Sequence, residues 1–129
     1  MALAVREVVD GKARFDGRLL AEWVPEAVEA VVGAVEPISV VLSGSVARGD
    51  DGPDSDIDLL VVVDDHRDRH QAAVSALRAV SVLPPEIDVV VVSQESAEAH
   101  RDVAGTIIRP ALREGNVVYS RGPRGSNRG

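Results

Sequence analysis

Apolar and polar residues alternate along this chain in blocks that change period. Val5-Arg6-Glu7-Val8-Val9, Asp10-Gly11 and Lys12 to Phe15 read as two short strands around an Asp-Gly turn. A disordered arm is the competing reading for the same segment. Asp16 is placed to cap a short helix over Arg18 to Val24, and Pro25 suits the first turn of a second helix. In that second helix, Pro25 to Val35, Ala27, Val28, Val31, Val32 and Val35 recur at helical spacing. Trp23 is expected to pack against it as part of the core; the lesser alternative is an exposed Trp marking a partner surface. Pro37 ends the helix, and Ile38 to Leu42 is a continuous apolar run of strand length.

A short helix is expected after Gly44, closing before Gly52-Pro53. A second apolar strand spans Asp56 to Val63. Asp65 is then placed to cap a helix over His66 to Val80, with Ala73, Leu77 and Val80 turned inward. Pro84-Pro85 breaks it, and the β-branched run Ile87 to Ser93 is a third strand. Gln94 to Arg101 reads as helix or loop, and Thr106 to Glu114 as a last helix that Pro110 kinks or starts. Gly115 stops that helix, and Val117 to Tyr119 is a short closing strand. No segment repeats. Helices and strands alternate, which predicts an α/β fold, a sheet with helices packed on it.

Composition narrows the picture. The chain has 129 residues, enough for one compact domain. Aromatic residues make up 2%, so the core must be built from branched aliphatic strands and Ala-bearing helices. Without cysteine there are neither disulfides nor thiolate metal ligands. No apolar stretch has membrane-spanning length, and the N-terminus lacks the basic-then-apolar pattern of a signal peptide, so a cytoplasmic protein is expected. The net charge of −7 contains Arg121, Arg124 and Arg128 in a Gly/Pro-rich tail without acids, which leaves −10 on residues 1 to 120. Such a body repels phosphate backbones, so direct nucleic acid binding is not expected.

The candidate chemistry is concentrated between residues 42 and 63. Asp56 and Asp58 stand two apart on a strand and therefore share a face, while Ile57 and Leu59 face a core. The pair is either a solvated acidic strand edge or two ligands of a hard cation such as Mg²⁺ that relieves their repulsion. Before it, Gly44 either makes only a tight turn or lets the backbone approach a phosphate, with the Ser45 hydroxyl directed at the same group. Arg48 either adds positive charge beside the phosphates or bridges to Asp50 or Asp54. Ser55 caps the turn before the strand. Asp88, an acid set in a β-branched run and so expected to be buried, is more reasonably paired or metal-bound than idle. His66 and His70, four apart, could bind a metal only with further ligands nearby.

Taken together, Gly44-Ser45-Val46-Ala47-Arg48-Gly49, Ser55-Asp56-Ile57-Asp58-Leu59-Leu60-Val61 and Ile87-Asp88-Val89 resemble the DNA polymerase beta-type nucleotidyltransferase superfamily, and within it the minimal nucleotidyltransferases. The resemblance covers residues 24 to 120, with 1 to 23 left as an N-terminal arm or hairpin and 121 to 129 as a disordered tail. It implies a small mixed sheet. It also implies transfer of AMP from ATP to a hydroxyl, with two Mg²⁺ ions. Asp56 and Asp58 would bridge the ions, and Asp88 would hold the one nearest the acceptor. Gly44 and Ser45, with Arg48, would hold the phosphates.

By the same resemblance the acceptor is expected on a partner, a HEPN-type ribonuclease toxin that this chain would neutralise. Antibiotic nucleotidyltransferases and polymerases carry a further domain over the acceptor, and nothing after residue 120 is expected to supply one, so a partner or a homodimer would complete the site. An aminoglycoside-type small-molecule transferase, a non-catalytic binding antitoxin and an NTP-sensing domain are the alternatives.

Overall fold

The computed structural model describes residues 5–99 and 115–121. In chain order the elements are β1 (Arg6–Val9), β2 (Lys12–Phe15), β3 (Arg18–Leu19), α1 (Leu20–Val35), β4 (Ser39–Ser43), α2 (Gly44–Arg48), β5 (Ile57–Val63), α3 (Arg69–Val80), β6 (Ile87–Ser93), α4 (Gln94–Ala99) and β7 (Asn116–Ser120). The strands form two sheets, one of order β1-β2-β3 and one of order β6-β5-β4-β7. The second is mixed: β5 and β6 run parallel, while β4 is antiparallel to both β5 and β7. The helix expected over Thr106 to Glu114 lies outside the described residues, as do 122–129.

The N-terminal sheet follows from two Asp-Gly turns. Asp10 and Gly11 sit at φ 54° and 79°, and Asp16 and Gly17 at 54° and 80°. Paired positive φ angles belong to the two-residue hairpin turn whose twist matches its strands. Asp16 therefore turns the chain and does not cap a helix. Its carboxylate accepts a hydrogen bond from the Val5 amide at 2.9 Å. The expected pair of helices around Pro25 is one helix, α1, with Pro25 inside it. The buried residues Leu20, Trp23, Val24, Ala27, Val28, Val31 and Val35 form one stripe that runs straight past the proline. Packing along that stripe outweighs the single backbone bond Pro25 cannot make. Trp23 is core, its indole N–H donating to the Phe15 carbonyl at 3.0 Å. Glu36, in the left-handed region, ends α1, and Arg67 donates to the orphan Val35 carbonyl at 2.7 Å.

In the main sheet β5 is covered on both faces. Ile57, Leu59, Val61 and Val63 join the large cluster under α1 and α3, while Leu60 and Val62 pack with Val41, Val92 and Ala97 of α4. Helix α3 differs from its expected form in two ways. It begins at Arg69, capped by Asp68, whose carboxylate accepts from the Gln71 amide at 3.0 Å. It also buries Ala72, Ala76 and Val80 and leaves Leu77 exposed, because the small alanines let α3 approach α1 closely. Asp65, expected as that cap, instead accepts from the Glu95 amide at the start of α4, at 2.7 Å. At the far end of the sheet, Arg121 donates its amide to Ile38 and its guanidinium to Asp64.

Candidate active site

The sheet topology collects the candidate residues at one end. The C-terminal end of β4 leads directly into α2, and because β5 and β6 are parallel, both of their N-terminal ends lie beside it. In the register of these strands Asp58 stands opposite Asp88 on one side and Ser43 on the other. Asp56, two residues before Asp58, falls on the same face. One carboxylate oxygen from each of Asp56, Asp58 and Asp88 lies within 4.8 Å of the others. The acid on β6 is exposed, not buried as its apolar flanks suggest, because β6 is an edge strand among the described residues and Asp88 stands near its start.

Gly44 sits at φ 75°, and a Cβ built there would collide with Asp58 Oδ2. Glycine at this position is thus required by the close approach of the turn to the carboxylate cluster. The next residue, Ser45, donates its hydroxyl to Ser55 Oγ at 3.0 Å, and Ser55 Oγ accepts from the Gly52 amide at 2.8 Å. Ser55 therefore closes the turn before β5 as expected and also links that turn to α2. Arg48 takes up the salt bridge, Nε to Asp50 Oδ2 at 3.2 Å, while its charge also reaches Asp58. His66 lies in the loop before α3 and His70 on it. Both are exposed, and among the described residues only the three aspartates gather as possible ligands.

The cluster is electrostatically unbalanced. Loss of water around Asp56 pushes its carboxyl up from 3.8 to about 6, helped by a hydrogen bond and charge from Asp88 and by the charges of Asp58 and Glu86. Asp58 is raised by desolvation and then by Asp88, with Arg48 acting in the opposite direction. Three carboxylate oxygens this close together, on Asp56, Asp58 and Asp88, are the donor set a hard divalent cation accepts, so the residues fit such an ion.

Two residues of the neighbourhood escape sequence reasoning. Asp51 is the one charged side chain that is buried among the described residues, 7% exposed, and its partner is Lys12 of β2 at 3.3 Å. In the run Asp50-Asp51-Gly52-Pro53-Asp54 nothing in the sequence sets Asp51 apart from its solvated neighbours.

Comparison with known proteins adds family information. A family model described as a nucleotidyltransferase domain matches residues 24–112, more than half of the chain. Among solved structures, a candidate nucleotidyltransferase from Sulfolobus solfataricus is similar, with a TM-score of 0.56 and 20% identity. The match covers 79% of this chain and 81% of that one. At that identity the likeness concerns the fold. No protein of curated function matches the chain.

Proposed function

The chain belongs to the nucleotidyltransferase-domain family, and from that membership we propose that it moves AMP from ATP to a hydroxyl group on a partner protein. The observation that carries this reading is the convergence of Asp56, Asp58 and Asp88 within 4.8 Å, beside the Gly44-Ser45 turn. Asp56, Asp58 and Asp88 would hold divalent metal, two Mg²⁺ ions by the family resemblance, which when bound supply charge neutralisation for the triphosphate. The Gly44 backbone orients the phosphates, joined by the Ser45 hydroxyl when it turns from Ser55 Oγ to the nucleotide, and Arg48 contributes positive charge on the same side. Asp88, on its own strand and open to solvent, faces the acceptor and takes the proton as the hydroxyl oxygen attacks the α-phosphorus. The α–β bridge bond breaks and pyrophosphate leaves. Catalysis of this kind is positioning and electrostatics rather than covalent work by the protein.

A protein acceptor is favoured by the exposure of Asp88 and of Val90, two residues along on the same face, which leaves this side of the cluster open to a large partner. By resemblance to the minimal nucleotidyltransferases, that partner is a HEPN-type toxin, and the chain is its antitoxin. The test is incubation with ATP labelled at the α-phosphate, with Mg²⁺ and the toxin, followed by mass spectrometry. Label on a toxin hydroxyl is the expected result. Label on a small-molecule hydroxyl would overturn the protein acceptor, and absence of label from every acceptor, with toxin still neutralised, would overturn transfer altogether.

A further inference from the structure

We propose that Lys12 is a positioning residue for the carboxylate cluster, fixing from the N-terminal sheet the loop that carries Ser55 and Asp56. The Lys12 ammonium lies 3.3 Å from Asp51 Oδ1 and 3.2 Å from the Gly49 carbonyl. Gly49 ends α2, so this one cation holds both the exit of that helix and the loop that follows. A buried carboxylate without a partner is costly, which keeps Asp51 closed on Lys12. The second contact between sheet and loop, Arg6 with Asp54 and the Pro53 carbonyl, is of a different kind. Arg6 and Lys12 are similarly exposed, 45% and 39%, but the Asp54 side chain is 96% exposed where that of Asp51 is 6%, and a carboxylate so solvated is held little.

From Asp51 the constraint runs towards the site. The Gly52 amide donates to Ser55 Oγ at 2.8 Å, and the Ser55 amide to the Gly52 carbonyl at 3.3 Å. Ser55 Oγ in turn receives the Ser45 hydroxyl at 3.0 Å, and Asp56 is the next residue. With Lys12 gone, Asp51 is released to water, and the turn over residues 52–55 keeps its Ser45 anchor and the solvated Arg6 contact but loses the one that ends on a buried carboxylate. Ser45 and Asp56, one on each side of the site, both depend on that turn. Strands β1 to β3 precede residues 24–112, so this brace is an addition to the part of the chain that the family model matches. With Asp51 buried and the Lys12 side chain 39% exposed, the worth of the pair lies in fixing one arrangement of the loop rather than in net stability.

The proposal rests on the reading of the three aspartates as a metal–nucleotide site, and its test separates the two. The full chain is compared with Lys12→Met and with Lys12→Met/Asp51→Asn, the second removing the uncompensated buried charge that could unfold the first. Mn²⁺ binding is measured by calorimetry. Hydrogen exchange at the Gly52 and Ser55 amides is measured in metal-free protein, and urea unfolding reports the fold. In the folded double variant, both amides should exchange about tenfold faster or more, and Mn²⁺ should bind about tenfold more weakly or worse, the range found when supporting partners of metal ligands are removed. Unchanged exchange and unchanged Mn²⁺ affinity would overturn the proposal and leave Lys12 as a fastener of the hairpin. If the wild-type chain itself binds no Mn²⁺, the metal reading falls and the proposal with it. If it binds and the double variant binds equally, the proposal alone falls.

Discussion

Gly44 is the residue at which backbone geometry and site chemistry meet most tightly. Its φ of 75° and the adjacent Asp58 carboxylate leave no room for a side chain. Gly44→Ala should therefore destabilise the protein by about 2 kcal/mol or more, combining left-handed strain with displacement of Asp58. Urea unfolding checks this, and a fully stable variant would show that the turn relaxes freely. A second expectation concerns pH. The Asp56 carboxyl is raised from 3.8 to about 6 in the folded protein. The folded state therefore holds this proton more tightly than the unfolded one. The cost of ionising Asp56, lost hydration first and the neighbouring carboxylates second, is absent below about pH 4, grows as pH rises towards 6, and is complete above it. Asp56→Asn/Asp58→Asn should accordingly melt higher than metal-free wild type at pH 8, with the advantage gone at pH 4. Equal melting temperatures at both pH values would remove the case for strain in the cluster. Gly44, Ser45, Asp56, Asp58 and Asp88 were legible as a set because each belongs to a short local pattern. Lys12 and Asp51 were not, because their meaning lies in a contact across 39 positions of sequence.

At the scale of elements, the strands were readable and the helix details less so. A strand buried on both faces is a plain apolar run, and β5 declares itself that way; β6 reads as a strand from its β-branched run even though its edge position leaves Asp88 and Val90 exposed. Which neighbour each would pair with was not visible in those runs, and the mixed sheet came from family resemblance instead. Helix α1 was expected to break at Pro25 because local propensity says so, but seven buried positions spanning the proline decide otherwise. Pro25 is exposed and still lacks a hydrogen to give the preceding turn. Pro25→Ala should raise stability by about 1 kcal/mol, the restored bond exceeding the added freedom of the unfolded chain. A lower urea midpoint would mean that the proline holds a bend the core requires. In α3 the inward face was misplaced by one residue, because Leu77 is more apolar than Ala76 while close helix packing selects the smaller side chain. The pairing of β5 with β6 carries a further prediction. Asp88 lies on a different strand from Asp56 and Asp58, so Asp88→Asn should leave nucleotide affinity nearly intact and reduce the transfer rate by about a hundredfold or more. Rate and affinity measured separately decide this, and equal loss in both would place Asp88 in ground-state binding.

For the whole molecule, net charge −7 and a cluster of three carboxylates would set the terms on which the proposed triphosphate is admitted. A bare polyanion is repelled, and the same polyanion carrying divalent metal is not. No helix among the described residues is long and apolar enough to cross a membrane. The N-terminal sheet, which reads in the sequence as no more than an arm or a hairpin, is joined to the site loop through Lys12 and Arg6. The central claim is that Asp56, Asp58 and Asp88 form a metal-dependent nucleotide site, and calorimetric titration of Mn²⁺ with ATP into the full chain tests it most directly. The wild type should bind the metal–nucleotide pair, and more tightly than either component alone, while Asp56→Asn/Asp58→Asn, still folded, should bind neither metal nor the pair measurably. Equal binding by the double variant, or no binding by the wild type at millimolar metal and ATP, would contradict it.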